Sequence, residues 1–391
     1  MAVKLVAPVL LFLLFEYSSA TVIYNVLSFG ATANGFFDSR NAFLKAWDLA
    51  CASTNPAIIY VPPGRYLIAS ALIFSGQTCK SKAIRIYIDG TLVAPTNYNV
   101  IGNTHVWIKF YKTNNVTISG GTLDAQGAPL WFCKSSGMKT CPLGATTLGI
   151  YHSQNIVISN LRSVNSQRFH IILYACNNAK LQGVSVSAPG LSPNTDGIHL
   201  IYSKDVTILN SSIATGDDCI SIGPGNSNLW IEKVVCGPGH GISIGSLGWV
   251  TEEAGVQNVT VKTASFIGGQ NGLRIKTWAR RSNGFVKDVV FQHISMVNVK
   301  NPIIIDANYC PNHENCPNEV SGVKISNVMY EDVHGTSATR VAVKFDCKMG
   351  KPCTGIRLKD VNLIYGSQPA ASFCSYAAGS ASGLLRPTSC L

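Results

Sequence analysis

Two adjacent carboxylates, Asp217 and Asp218, lie in the stretch SIATGDDCISIG, among small and β-branched residues that favour strands. Like charges placed side by side repel each other, so the pair indicates a turn, a metal site or a reaction. A third carboxylate, Asp196, precedes Asp217 by 21 residues, and His240 follows Asp217 by 23 residues. This near-equal spacing predicts that the fold brings the four side chains together.

A cluster of three carboxylates and a histidine contains the groups that hydrolysis of a glycosidic bond needs. One carboxylic acid protonates the leaving oxygen, and carboxylates activate the attacking water. Because like charges this close cannot all ionise at ordinary pKa values, at least one carboxyl should hold its proton near neutral pH. Arg274 and Lys276, two residues apart and so on one side of a strand, would bind a sugar carboxylate.

Simpler interpretations of the same residues stay open. Turns favour aspartate, so Asp217 and Asp218 could be turn residues, and His240 could be a loop histidine among glycines. Arg274 and Lys276 could belong to the solvated face of a basic protein. The glycines of CGPGHG indicate tight corners rather than a phosphate-binding loop, because no P-loop lysine or helix follows them.

The elements that would position the cluster repeat along the chain, each beginning with Asn, Asp or Gly before alternating β-branched residues. The copies begin at Asn115, Asn155, Asp205, Asn258, Asp288, Gly322 and Gly355, with weaker copies at Asn178 and Asn228. The period is about 23 to 30 residues through the middle of the chain, with no helical pattern between strands, which excludes a doubly wound sheet. The pattern predicts an all-β fold, a parallel β-helix, in which length adds coils without requiring a second core.

In a β-helix, residues one coil apart lie on neighbouring rungs, about 4.8 Å apart along the axis. Asp196, the Asp217 and Asp218 pair and His240 should therefore stack on one face. The next coil is longer, and it brings Arg274 and Lys276 to the same place. A β-helix thus explains how distant residues form one cluster.

The N-terminal segment DSRNAFLKAWDLACA has a different period from the rest of the chain. Apolar residues recur there at helical spacing behind two candidate N-caps, Asp38 and Ser39. They are Ala42, Phe43, Ala46, Trp47, Leu49 and Ala50. The spacing predicts a short helix that covers the open end of the β-helix, where strand edges would otherwise be exposed.

Four short motifs, in this order, resemble the signature motifs of the polygalacturonases of glycoside hydrolase family 28. They are Asn194-Thr195-Asp196, Gly216-Asp217-Asp218, Gly239-His240-Gly241 and Arg274-Ile275-Lys276. The resemblance extends from YNVLSFGA to the tail SFCSYAAGSASGLLRPTSCL and is greatest for the plant enzymes. It implies a right-handed β-helix and inverting hydrolysis of α-1,4-linked galacturonan. Rung spacing alone does not predict inversion, which generally needs carboxyl groups about 6.5 to 9.5 Å apart.

The resemblance also implies a role for each residue of the motifs. Asp217 is similar to the general acid, Asp196 and Asp218 to the pair that activates water, and His240 to the active-site histidine that tunes the acid. The implied substrate contacts are Asn194, Arg274, Lys276 and, in DANYCP, Tyr309. No cofactor and no metal are implied.

Residues 1–20 have the features of a secretory signal peptide, which leaves 21–391 as a single predicted domain. Lys4 precedes an apolar run from Leu5 to Phe15, and Ser18 and Ala20 occupy the small-residue positions of a cleavage site. No later stretch offers about 18 uncharged apolar residues that could span a bilayer. We therefore expect a secreted, extracellular protein of the cell wall.

The 13 cysteines fit an oxidising compartment. Their spacing favours short-range disulfides for the pairs Cys133 with Cys141, Cys219 with Cys236, Cys310 with Cys316, Cys347 with Cys353, and Cys374 with Cys390. Cys176 has no near partner and is predicted to be a buried free thiol. Sequons at Asn115, Asn210 and Asn258 are compatible with glycosylation.

The chain carries 31 Lys and Arg against 20 Asp and Glu, a net charge of +11 that suits an anionic partner. Nucleic acid is disfavoured, because the sequence has no basic helix, no aromatic-rich RNA-binding motif and no lysine run. We expect an acidic polysaccharide, polygalacturonate or pectin, as the partner, with no membrane association and a monomeric state.

The predicted activity is endo-acting, and three alternatives stay open: an exo-acting enzyme, a calcium-dependent pectate lyase whose aspartates hold the cation, and an inactive pectin-binding wall protein. The chain also departs from the plant pattern, which usually has Gln-Gly-Gly after Lys-Thr-Trp. Here the residues are Ala279, Arg280 and Arg281, and Trp249 stands where a small or basic residue is more usual. The two arginines either contact a galacturonate outside the central subsites or form a solvated loop.

Overall fold

A computed structural model describes residues 21–311 and 314–391, which fold into a right-handed parallel β-helix. Each central strand pairs in parallel with one strand a coil earlier and one strand a coil later, so that Ile171 is level with Leu148 on one side and with Ile198 on the other. The predicted fold class is confirmed. The proposed signal peptide, 1–20, lies outside the described residues.

Short strands dominate the described residues. They are β1 (Val22–Asn25), β2 (Asn34–Asp38), β3 (Ala57–Val61), β4 (Arg65–Leu67), β5 (Leu72–Ser75), β6 (Ile84–Val93), β7 (Val106–Tyr111), β8 (Asn114–Asp124), β9 (Thr146–Tyr151), β10 (Gln154–Ser159), β11 (Arg162–Val164), β12 (Ile171–Tyr174), β13 (Asn177–Gln182), β14 (Ser185–Ser187), β15 (Ile198–Ile201), β16 (Lys204–Ala214), β17 (Ile220–Ile222), β18 (Ser227–Cys236), β19 (Ile242–Leu247), β20 (Val256–Ile267), β21 (Asn271–Trp278), β22 (Phe285–Val299), β23 (Asn301–Tyr309), β24 (Lys324–Ser337), β25 (Val341–Asp346), β26 (Cys353–Tyr365), β27 (Gln368–Pro369), β28 (Ala371–Ser375) and β29 (Ala377–Arg386). Three α-helices accompany them there: α1 (Arg40–Ala52), α2 (Asn99–Gly102) and α3 (Ala128–Ser135).

The strands form two sheets around one core. Eleven of them make what we call the site sheet, in the order β28, β25, β23, β21, β19, β17, β15, β12, β9, β7, β5. The other 18 belong to the back sheet, whose longer strands bend around the remaining sides of each coil. Apolar side chains level with one another fill the interior, as Ile198, Ile220 and Ile242 do, and one cluster of buried residues extends from Val26 to Ala370. The division into a single domain over 21–391 stays a prediction.

The repeated Asn, Asp or Gly marks a turn with left-handed backbone where a back-sheet strand begins. Asn115, Asn155, Asn178, Asp205, Asn228, Asn258, Asp288 and Asn327 have φ between 54° and 57°. Asn and Asp tolerate this conformation better than other side chains. Their side chains also bond to one another across coils: Asn228 donates to Asp205 at 2.9 Å and accepts from Asn258 at 2.8 Å. We call these eight residues the turn ladder.

One copy of the repeat was predicted at the wrong place. The repeat pattern predicts a copy that begins at Gly322, but the residue level with Asp288 is Asn327, which donates to the Asp288 carboxylate at 3.1 Å. The apolar residues after Gly322 misled the prediction, because Val323 and Ile325 are also buried and alternate in the same way.

Helix α1 closes the N-terminal end of the core, as its spacing predicted. Trp47 packs against Phe74 and Phe110, with ring centroids 4.9 and 5.8 Å away. The backbone N–H of Arg40 donates to the Asp38 carboxylate at 3.0 Å. The prediction that Leu49 faces the core was wrong, since its side chain is 40% exposed.

Disulfides follow the predicted short-range pairs. All five of those pairs form, a sixth joins Cys51 at the end of α1 to Cys79, and Cys176 is free and buried.

In the ranges 21–311 and 314–391, none of the helices has the length and apolar character needed to cross a membrane.

Candidate active site

The candidate site lies at the amino ends of four site-sheet strands, β15, β17, β19 and β21. Ile198, Ile220, Ile242 and Leu273 are level with one another, so the residues two positions before the first three, Asp196, Asp218 and His240, stand on successive rungs. The 21-residue spacing in the sequence runs from Asp196 to Asp217. Strand pairing instead places Asp218 in register with Asp196. The coil between β19 and β21 is longer, as predicted.

Glycines allow the chain to turn tightly into these strands. A Cβ at Gly216 would lie 2.0 Å from the Ser192 carbonyl oxygen, closer than any side chain can approach. Gly241 has a φ of +78°, and a Cβ there would lie 2.2 Å from the Gly272 oxygen. Only glycine fits this geometry without strain, so the small residues of the motifs set the backbone path that carries the acids.

Asp217 is the more accessible of the adjacent pair, with 20% of its side chain exposed. Its Oδ1 lies 2.9 Å from Nδ1 of His240 and accepts the backbone N–H of Asp218 at 2.8 Å. Within the part of the chain that the structure describes, Oδ2 has a single hydrogen bond, a long one of 3.4 Å from Asn194 Nδ2. One oxygen is thus fixed by the protein, while the other stays free for a partner from solution.

Asp218 is buried between two cations. Its Oδ1 accepts from Arg274 Nη2 at 2.6 Å and from Ser243 Oγ at 2.8 Å, and its Oδ2 accepts from Lys276 Nζ at 2.7 Å. Burial by itself would raise the pKa of Asp218, but the charges of Lys276 and Arg274 and the hydrogen bonds outweigh burial and lower it. Asp218 is therefore an ionised carboxylate over the whole range in which proteins are normally studied.

Asp196 is buried as well, but among the described residues no Lys or Arg nitrogen lies within 4.0 Å of its carboxylate, and Arg168 interacts with it only at longer range. Burial raises the pKa of its carboxyl, and the nearby charges of Asp217 and Asp218 raise it further, against a lowering by His199. Ser221 Oγ donates to its Oδ2 at 2.6 Å, and His199 Nδ1 lies 3.5 Å from the same oxygen. Two buried carboxylates one rung apart are thus shifted in opposite directions by their neighbours.

Hydrogen bonds or ion pairs join six of the eight candidate residues to another member of the set, and the other two, Tyr309 and Asp196, lie beside them. The Tyr309 ring is 5.1 Å from the Lys276 ammonium and 5.9 Å from the Arg274 guanidinium. Asp196 has no hydrogen bond to any of the other seven, and the charges of Asp217 and Asp218 nearby raise the pKa of its carboxyl. The role of each residue stays a prediction.

Three polar residues that bind the carboxylates were missed by the sequence reasoning. His199, Ser221, Ser243 and the predicted Arg274 are level with one another on the outer face of the site sheet. His199 also stacks on Phe169, with ring centroids 4.4 Å apart. The sequence does contain a pattern that marks these positions. Each of the four polar residues stands between two buried aliphatic residues, in the triplets IHL, ISI, ISI and LRI.

Asp217, Asp218 and His240 offer ligand atoms within 4.8 Å of one another, so we tested whether they suit a metal ion. Calcium prefers six to eight oxygen ligands, and the set offers a histidine nitrogen and two carboxylates. One of these carboxylates, Asp218, already accepts from Arg274 and Lys276, whose positive charges would repel a cation. The donor set does not suit a calcium ion.

A family model described as glycosyl hydrolases family 28 matches residues 51–383. The chain is 59% identical to a polygalacturonase of Prunus persica, over 98% of this chain and 97% of the relative. It is 41% identical to an exopolygalacturonase of Platanus acerifolia, over 91% of this chain and 94% of the relative. A solved structure, the endo-xylogalacturonan hydrolase from Aspergillus tubingensis, matches with a TM-score of 0.77 and 19% identity, covering 93% of this chain and 100% of that one, which shows a common fold.

Proposed function

The chain belongs to glycosyl hydrolases family 28 and is a glycoside hydrolase, and from that premise we propose that it is a polygalacturonase. Its substrate in this proposal is homogalacturonan, whose α-1,4-galacturonosyl linkages it hydrolyses with inversion. The observation that carries the proposal is the environment of the adjacent acids: Asp218 is held ionised by two cations, while Asp217 beside it presents an oxygen that accepts only a long hydrogen bond from Asn194 among the described residues.

Asp217 is the general acid in this mechanism. Because Oδ1 already interacts with His240 and with the Asp218 backbone, the proton that leaves would be on Oδ2. Oδ2–H protonates the glycosidic oxygen as its bond to the anomeric carbon breaks, and Asp217 becomes a carboxylate. His240, at 2.9 Å from Oδ1, is positioned to stabilise the carboxylate that forms.

Asp196 and Asp218 activate the attacking water. The water adds to the anomeric carbon from the face opposite the leaving oxygen, and its proton passes to one of the two carboxylates. Asp218 is ionised at all working pH values, and Asp196, with its raised pKa, is the stronger base of the two once ionised. One proton leaves Asp217 and one proton is gained by the pair, so the charge of the site is unchanged over the reaction.

Arg274 and Lys276 have two functions in the proposal. They keep Asp218 ionised, and their remaining N–H donors attract the carboxylate of a bound galacturonate. Tyr309, beside both cations, and Asn194, beside Asp217, are the other proposed substrate contacts. The net charge of +11 supports an acidic polymer as substrate.

We favour endo action, because candidate sugar contacts lie on both sides of the acids along the site sheet. Toward the N-terminus, on β7, β9 and β12, the rings of Tyr151 and Tyr174 stack at 5.5 Å and Lys109 lies 4.6 Å from the Tyr151 ring. Toward the C-terminus lies Tyr309. A chain that crosses the site needs contacts on both sides, whereas an exo enzyme needs contacts on one side and recognition of a chain end.

Two further parts of the proposal concern where the enzyme acts. The predicted signal peptide over 1–20 and the six disulfides support secretion into an oxidising compartment. An extracellular enzyme that cleaves pectin would act in the cell wall.

The test is a product analysis on unesterified polygalacturonate. We expect new reducing ends, a mixture of oligomers at early times, and inverted configuration in the first product detected by proton NMR. Activity should survive EDTA, and products should lack the ultraviolet absorbance of unsaturated uronides. Galacturonate monomer alone would indicate exo action, and EDTA-sensitive formation of unsaturated products would contradict hydrolysis.

A further inference from the structure

A second polar region lies beyond the candidate active site, where the chain leaves β19 and β21. It is an open groove of about 680 Å³, and its walls include Trp249, Arg280, Arg281, Asn318 and Glu319. Trp249 follows β19 by two residues and Arg280 follows β21 by two residues. None of these residues has a part in the mechanism proposed above.

Arg280 is held in place from two directions. Its guanidinium lies 4.2 Å from the centre of the Trp249 ring and 5.6 Å from that of Trp278. Its backbone N–H donates to the Trp278 carbonyl at 2.9 Å, and its carbonyl accepts the Gly322 N–H at 2.8 Å. A guanidinium on an aromatic face keeps its N–H edge available for other partners.

The neighbouring Arg281 is different. Its side chain is 89% exposed, and Nε lies 3.7 Å from a carboxylate oxygen of Glu319. Over residues 21–311 and 314–391, no Asp or Glu oxygen lies within 4.0 Å of a side-chain nitrogen of Arg280. Of two adjacent arginines, one packs against aromatic rings and has no anionic partner in the described part of the chain, while the other is exposed to solvent and has one.

Aromatic rings connect the groove to the candidate active site. The Tyr309 ring, beside Lys276, lies 5.2 Å from that of Trp278, and the Trp278 ring lies 4.9 Å from that of Trp249. Both contacts are edge-on, so the three rings form a continuous wall from Lys276 to Arg280. A polysaccharide chain bound at the acids can follow this wall into the groove.

We propose that Arg280, ordered by Trp249, binds the carboxylate of a galacturonate residue outside the catalytic subsites and selects an unesterified residue there. A carboxylate can accept two parallel, charge-assisted hydrogen bonds from a guanidinium. A methyl ester has no charge and fewer free acceptor positions, so it loses most of this interaction. The inference rests on the proposed function, because it assumes that galacturonan crosses the site.

Binding is measured with the Asp217→Asn enzyme, which leaves the ligand uncleaved. Calorimetry gives the Kd of unesterified hexagalacturonate, of the fully methyl-esterified hexamer, and of the unesterified trimer. Adding Arg280→Ala should raise the Kd of the unesterified hexamer about 3- to 30-fold, the range expected for a partly exposed charged contact. The Kd of the esterified hexamer should change less than twofold.

Further variants distinguish a specific effect of Arg280 from the effect of removing any positive charge. Trp249→Ala should weaken hexamer binding nearly as much as Arg280→Ala, and the double variant should be little worse than either, because the two side chains act together. Arg281→Ala removes the same charge one residue away and should have a clearly smaller effect. Arg357→Ala, on the exposed face of β26 in the back sheet, is the matched control and should leave Kd unchanged.

The outcomes distinguish this inference from the proposed function. If the Asp217→Asn enzyme binds the hexamer but Arg280→Ala leaves its Kd unchanged, or Arg281→Ala and Arg357→Ala weaken it equally, the Arg280 subsite is refuted while the polygalacturonase proposal stands. If neither hexamer nor trimer binds, both are refuted. An equal loss for esterified and unesterified hexamer would contradict the selection of a free carboxylate.

Discussion

The two edges of the site sheet use the same one-coil repeat for opposite purposes. At the carboxyl ends of its strands, the turn ladder places Asp205, Asn228 and Asn258 on successive rungs, and each amide donates to the residue before it. At the amino ends, the same spacing places Asp196, Asp218 and His240 on successive rungs. An amide has both donors and acceptors and can satisfy an identical neighbour, whereas carboxylates only accept and repel one another.

The comparison shows that the type of side chain decides whether residues at equivalent positions of successive coils stabilise the fold or form a reactive cluster. Seven of the eight turn-ladder residues are exposed and Asn155 is half-buried, and the amides among them find hydrogen-bond partners within the ladder or beside it. The acids need outside help, which Arg274 and Lys276 give to Asp218 but not to Asp196. At the amino ends of the site-sheet strands, cations therefore compensate Asp218 but not Asp196, and this uncompensated charge is available for catalysis.

The largest expected effect comes from removing the proton donor at the reactive edge. Asp217→Asn keeps the shape of the side chain and an oxygen for the Oδ1 contacts but cannot donate a carboxylic proton, so kcat should fall by about 10²- to 10⁴-fold with KM nearly unchanged. Steady-state kinetics on polygalacturonate provide the measurement. Asp205→Asn in the turn ladder is the matched control and should keep wild-type kcat. Retention of more than about a tenth of wild-type kcat by Asp217→Asn would contradict the assignment of Asp217 as the general acid.

Asp218→Asn should damage both activity and stability, because it leaves two buried cations without their counter-charge. Removing one partner of a buried ion pair costs about 3–5 kcal/mol in the free energy of unfolding. The folded pKa of Asp218 is lowered, so its contribution is complete above the unfolded pKa and is lost as pH falls through the folded pKa. Urea unfolding at neutral and acidic pH should show the difference from wild type shrinking in acid.

A matched surface variant tests this explanation. Asp332 forms ion pairs with His293 and His334, but its side chain is 45% exposed. Asp332→Asn should change the free energy of unfolding by less than about 1 kcal/mol. Equal effects of Asp218→Asn and Asp332→Asn would contradict the importance of burial.

Asp196→Asn should inactivate the enzyme but stabilise it at neutral pH. Burial and the two neighbouring acids raise the folded pKa of Asp196, so its ionised form opposes folding above that pKa. This opposition is complete above the folded pKa and shrinks as pH falls below it, until it is gone at the unfolded pKa, and the gain from Asn should disappear with it. We expect kcat to drop at least about 10²-fold and the urea midpoint to rise at neutral pH only. A lower midpoint at neutral pH would contradict the raised pKa.

Both edges could be predicted in outline from the sequence, because a one-coil period is visible wherever polar residues repeat between aliphatic ones. The sequence could not give the rung on which each acid stands: a count from Asp217 and a count from Asp218 differ by one residue, and only backbone pairing decides. The turn ladder was mistaken at Gly322 for the same reason, since alternating apolar residues fit either of two registers.

The partners of the acids were harder to predict than the acids. Ser221 and Ser243 are small polar residues that any strand could contain, and they gain importance only because an acid lies one rung away. Arg274 and Lys276 were expected to face a sugar carboxylate, and their short contacts with Asp218 depend on side-chain directions that spacing does not determine. Residue type and period therefore predict which acids come together, but they do not predict the hydrogen bonds and ion pairs that hold those acids in place.

The smallest effect is expected in the turn ladder, where Asn228 combines a left-handed backbone with two hydrogen bonds to other ladder residues. Asn228→Ala should lower the free energy of unfolding by about 1–2 kcal/mol, mostly because a side chain with a Cβ but no local hydrogen bond is strained at positive φ. Asn228→Gly loses the same hydrogen bonds without the strain, so its loss should be clearly smaller. Both variants should keep wild-type kcat, since the ladder lies across the sheet from the acids. Urea unfolding and kinetics check both points, and equal losses for Ala and Gly would mean that the hydrogen bonds, rather than the backbone conformation, explain why this edge carries asparagine.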